Sequence, residues 1–161
     1  MGICLNKMVK KTLVIGASLN NDRYSNIAVN RLLKHSICVE AIGNKTGYIN
    51  NVLIRDDLAK FDDIHTVTLY LNKFKQKKYY KYIVSLSPNR VIFNPGTENT
   101  EFYKILNQVK VKFKFIDKDV VLENWSPLIE LNRDESFKQV RFSPRLDYVP
   151  IIDKKKLDLY Y

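Results

Sequence analysis

Arg23 stands among residues that can all donate to a charged oxygen: Ser18 ahead of it, Ser25 and Asn26 directly after, within the stretch Gly16-Ala-Ser-Leu-Asn-Asn-Asp-Arg-Tyr-Ser-Asn26. A guanidinium offers a planar fork that matches two phosphate oxygens, and hydroxyls and loop amides add single donors. The chemistry this composition serves is anion binding, to a phosphate or a pyrophosphate. The stretch departs from the dinucleotide fingerprint, because Gly16 is its only glycine. Gly16, Ala17, Ser18, Arg23, Tyr24, Ser25 and Asn26 are therefore candidate ligand contacts. Plainer roles stand beside that reading: Ser25 and Asn26 could serve as helix caps, and Arg23 could sit in a surface salt bridge.

Three further polar clusters have similar placement: Gly43-Asn-Lys45, Tyr70-Leu-Asn72 and Asn94-Pro-Gly-Thr-Glu-Asn99. Where an NAD site would hold Asp or Glu for the adenosine ribose, this chain has Lys45, and a cation there suits a phosphorylated ribose. The alternative for Lys45 is an exposed loop lysine. Asn72 reads as a ligand contact or as a helix cap before Lys73, and Pro95-Gly96 as a close backbone approach or a simple tight turn. Asn94 and Glu98 are the polar groups expected to line the cleft. No catalytic constellation stands out. His35 and His65 have no companion nucleophile or metal ligand at useful spacing, and the pairs Asp56-Asp57 and Asp62-Asp63 read as solvated turns or helix starts.

These clusters need a scaffold that gathers them. The apolar run Thr12-Leu-Val-Ile15 predicts a strand over about 11–16, and the amphipathic run from Ile27 a helix over about 24–34. Strands follow at 37–42, 66–71 and 90–93, with a helix over 73–86 stopped by Pro88 and another from Asn99 or Thr97 to about Gln108. Residues 44–58 read as a short hairpin or irregular excursion, and 109–115 alternates at period two, as an edge strand does. Strands alternating with helices imply right-handed crossovers, and so an α/β, Rossmann-like fold with a mainly parallel sheet of about five strands and helices on both faces. Ligands on such sheets bind across the carboxyl ends of the strands at the topological switch point, where the four polar clusters should converge.

Taken together, the Gly-Ala-Ser…Arg-Tyr-Ser-Asn loop, Lys45, Asn72 and the Asn-Pro-Gly-Thr-Glu-Asn turn resemble the small bacterial CoA-binding proteins over about residues 10–113. The resemblance implies a stand-alone Rossmann-like domain, similar to the nucleotide-binding domain of the succinyl-CoA synthetase α subunit, that binds coenzyme A without a catalytic centre. Lys45 would meet the 3′-phosphate of CoA, although NADP, with its 2′-phosphate, is the alternative cofactor. An NADP-linked oxidoreductase fragment is accordingly the second functional expectation. Beyond residue 113 the chain takes a different course from those relatives. Residues 1–116 are read as the CoA-binding domain and 117–161 as a C-terminal appendage, which leaves a shared homodimer interface open.

The formal net charge of +10 is unevenly placed, with 19 basic and 8 acidic residues up to Ile116 and 8 and 9 beyond it. Lys73, Lys75, Lys77, Lys78 and Lys81 form the densest basic run, interleaved with aromatics. Nucleic-acid binding through that face is a third expectation, weighed against a solvated helix face, which the general richness in Lys, Asn, Ile and Tyr favours. No apolar run is long enough to cross a bilayer, the N-terminus does not read as a signal peptide, and Cys4 and Cys38 form no paired motif. A reduced, cytoplasmic protein with a small-molecule nucleotide as its partner is expected.

Overall fold

The computed structural model describes residues 10–115; the appendage expected over 117–161 lies outside them. The strands are β1 (Lys11–Ala17), β2 (Val39–Gly43), β3 (Gly47–Ile49), β4 (Val52–Arg55), β5 (Ile64–Leu69), β6 (Arg90–Phe93) and β7 (Lys112–Phe115). The helices are α1 (Tyr24–Lys34), α2 (Lys73–Gln76), α3 (Tyr80–Ser85) and α4 (Thr100–Gln108), with a 3₁₀ turn, Lys77–Tyr79, joining α2 to α3.

All strands share one sheet in the order β3-β4-β2-β1-β5-β6-β7. Every adjacent pair is parallel except β3 with β4. The expected count of about five strands is short of the observed seven, because the excursion after β2 folds as a hairpin that extends the sheet. Val52 and Ile54 of β4 are buried beneath α1, and Asn50, at the hairpin turn with φ 52°, donates from Nδ2 to Asn30 Oδ1 at 2.6 Å. The strand β7 starts at Lys112, later than expected, because the chain leaves α4 through Lys110 at φ 58° and returns the Val111 amide to the Leu106 carbonyl.

Alternation along β1 fills two cores. Val14 and Ala17 face α1 together with Val29, Leu32, Ala41 and Ile54. Leu13 and Ile15 face the opposite layer, where Tyr80, Ile83, Phe102 and Leu106 of α3 and α4 pack on Val67, Val91 and Phe93. Helices thus cover both faces, as a buried parallel sheet requires. Cys38 is buried just ahead of β2. No helix among the described residues is long and apolar enough to cross a membrane.

Candidate functional site

β1 and β2 are joined over one face by α1, whereas β5 and β6 are joined over the other by α2 and α3. The sheet therefore has its switch point between β1 and β5, at their carboxyl ends. A cleft of about 650 Å³ opens there, within the range of roughly 300–1,000 Å³ common to cofactor sites.

The floor is main chain. A Cβ on Gly16 would stand 2.8 Å from the Tyr70 carbonyl, and the Gly16 φ of +94° is itself unfavourable to other residues. One on Gly43 would run into the Ala17 carbonyl oxygen. The tips of β1, β2 and β5 can approach this closely only because nothing projects between them, and the Tyr70 amide completes the junction with a 2.8 Å bond to the Ile15 carbonyl.

The wall after β1 is built by local hydrogen bonds. Ser18 Oγ accepts from the Asn20 amide at 3.2 Å, Asn20 Oδ1 from the Asp22 amide at 2.9 Å, and the Asn20 carbonyl from the Arg23 amide at 3.1 Å. Asn26 Nδ2 then ties the loop to α1 by donating to the Ser18 carbonyl at 2.9 Å. Capping by Ser25 or Asn26 is thereby replaced: the N-cap position belongs to Arg23, whose side chain makes no capping bond. The first turn of α1, which holds no acidic residue, faces the cleft through Tyr24 and Ser25.

On the far wall Asn72 lines the cleft and caps α2, accepting from the Lys75 amide at 3.1 Å. Pro95 and Gly96 lie at a tight turn closed by the Thr97 amide on the Asn94 carbonyl at 3.0 Å, and they too line the cleft. Burial pushes the phenol of Tyr70, another lining residue, well above its usual range.

Of the residues singled out in the sequence, Gly16, Ala17, Ser18, Arg23, Tyr24, Ser25, Lys45, Asn72, Pro95 and Gly96 meet at this cleft. Asn26 and Asn94 stand behind it. Asn94 is buried, its Nδ2 donating to Thr68 Oγ1 at 2.7 Å and the Leu69 carbonyl at 2.9 Å, so it fixes the tip of β6 to β5. Glu98 is also absent from the lining, its Oε1 accepting from the Gly96 amide at 3.1 Å. Sequence reasoning missed Lys75, Leu19 and Asn20 as lining residues. Lys75 was hidden by the lysines around it, although its nearness to the strand tip at Asn72 was a usable signal.

The charge of the cleft has one sign. Arg23, Lys45 and Lys75 line it, no described lining residue is Asp or Glu, and among the described residues none of the three cations forms an ion pair with a carboxylate. No described His or Cys lines it either, and the described residues hold no cluster of metal-ligating side chains. The arrangement suits an elongated polyanion laid across a backbone floor at a strand switch point.

Comparison with known families gives that ligand a class. The family of CoA binding domains matches residues 10–130. This chain belongs to the CoA-binding domain family. The family match runs past Ile116, where the sequence reading placed its boundary. Among solved structures, an uncharacterized protein is similar at 38% identity and TM-score 0.66, over 71% of this chain and 95% of its own. A hypothetical protein from Pyrococcus horikoshii OT3 is similar at 23% identity and TM-score 0.62, over 66% of this chain and 76% of its own. A conserved hypothetical protein from Pyrococcus furiosus shares 21% identity at TM-score 0.62, over 70% and 98%. The last two share the fold. No curated protein matches the chain.

Proposed function

We propose that this CoA-binding domain holds coenzyme A or a CoA thioester without chemistry of its own, as a carrier or sensor. The pyrophosphate lies at the β1–α1 loop, with Arg23, Ser18 and the loop amides as donors, and Lys45 takes the 3′-phosphate of the ribose. The observation that carries this reading is the cleft's charge, three cations and no carboxylate among the described lining residues, beside a close backbone approach at Gly16.

NADP is the second reading, favoured by Lys45 itself, since a 2′-phosphate would meet the same cation. Calorimetric titration with CoA, dephospho-CoA, NADP and NAD separates them. CoA should bind most tightly, and dephospho-CoA should lose about tenfold or more with the ribose phosphate gone. Tight NAD binding with no response to CoA would overturn the proposal, and hydride transfer to a carbonyl substrate would install the NADP reading instead.

A further inference from the structure

We propose that Lys75 is a second phosphate-binding cation, closing on the ligand's pyrophosphate from the wall opposite Arg23. This deepens the nucleotide reading above and rests on it. The five lysines between residues 73 and 81 look alike in sequence, and the structure separates them. Lys77 Nζ lies 3.4 Å from Glu101 Oε2, Lys73 Nζ sits 5.2 Å from the centre of the Phe74 ring, and Lys78 Nζ 5.0 Å from that of Tyr79. Lys75 is the member of the run that lines the cleft.

Its backbone is held on both sides. The Lys75 amide donates to the capping Asn72 Oδ1 at 3.1 Å, and the next residue, Gln76, is fully buried with Nε2 on the Leu71 and Thr97 carbonyls at 2.7 Å each. The lysine therefore leaves a fixed base, and only its own stem must be ordered when it meets a ligand.

Sheet order says which part of the ligand it meets. Arg23 follows β1, Lys75 follows β5, and these strands are neighbours across the switch point. Lys45 follows β2, on the other side of β1. Along the strand tips the cations thus run Lys45, Arg23, Lys75. A pyrophosphate at the β1 tip lies between the last two, whereas a ribose phosphate held by Lys45 points away from Lys75. The ligand class that matches all three is a nucleotide carrying both a 5′-diphosphate and a phosphate on its ribose.

The test is calorimetric titration of wild type, Lys75→Ala, Lys75→Gln, Lys45→Ala and Lys73→Ala with CoA and with ADP, which keeps the diphosphate and lacks the ribose phosphate and the pantetheine arm. Both Lys75 variants should lose about 10- to 100-fold in affinity for CoA and for ADP alike. Lys45→Ala should lose a comparable factor for CoA and little for ADP, and Lys73→Ala should match wild type for both. Lys75 variants that bind ADP as wild type does, while wild type binds CoA, would overturn the clamp and leave the CoA reading standing. Wild type that binds neither nucleotide would overturn that reading and the clamp with it.

Discussion

Arg23 occupies the N-cap position of α1 without capping it, and no carboxylate among the described residues pairs with it. Its side chain is thus free of the local duties that would confuse a substitution. Arg23→Ala should cost about 1.5–3 kcal/mol of CoA binding, roughly one to two decades, with thermal stability of the ligand-free protein nearly unchanged. Arg23→Lys should recover part of the loss, since it restores charge without the fork. Titration and thermal unfolding of the two variants check this, and an alanine variant with full affinity would assign the pyrophosphate to loop amides alone. At this scale the residue types were readable and their facing was not. Asn26 and Asn94 belong to the right loops, yet their amides satisfy main-chain carbonyls, of half-buried Ser18 and of buried Leu69, that the close-set strand tips leave without a ladder partner. Nothing in a linear sequence distinguishes an asparagine facing inward to such a carbonyl from one facing a ligand.

The elements that hold the far wall depend on Gln76. Its Nε2 bonds carbonyls from the loops after β5 and β6, and its Oε1 accepts from Asn99 Nδ2 at 2.8 Å, which also donates to Tyr80 Oη at 2.7 Å. Asn99 in turn caps α4 through Oδ1 to the Phe102 amide at 3.2 Å. Gln76→Leu takes the side-chain donor from the Leu71 and Thr97 carbonyls and leaves the Asn99 amide with Tyr80 Oη alone, and at about 1–3 kcal/mol for each unsatisfied carbonyl it should destabilise the fold by at least roughly 2 kcal/mol. Denaturant unfolding measures this, and a variant as stable as wild type would show that water replaces the side chain. The same residue explains why the expected single helix over 73–86 is interrupted. Phe74, the first apolar residue of that run, is 76% exposed, and the buried positions are Gln76, Tyr79, Tyr80 and Ile83. A polar residue leads the inner stripe, so an apolar template misreads its phase, and the break falls directly after the side chain anchored to both loops. By contrast α1 and the Asn99 cap of α4 were legible, because their signals are local: an amphipathic run and a capping residue.

For the molecule as a whole, the alternation of strands and helices was enough to place the cleft, since a parallel sheet with one switch point has a single natural mouth. The excursion after β2 was harder to read: three- and four-residue strands carry too little pattern to reveal that they enlarge the sheet. The placement of charge has a consequence for how fast a ligand arrives. A mouth lined by cations with no opposing carboxylate among the described residues focuses its field outward, so a polyanion is captured from beyond contact distance and turned toward the site before any hydrogen bond forms. In stopped-flow measurements the association rate constant for CoA should fall steeply with added salt, as the screening length contracts below about 10 Å above 0.1 M, while the dissociation rate constant changes much less. An association rate constant indifferent to ionic strength would mean that encounter is governed by diffusion and shape alone. If steering holds, Arg23 and Lys75 contribute twice to one binding event, first to the frequency of productive collisions and then to residence time, and crowded anions compete with the first contribution more than with the second.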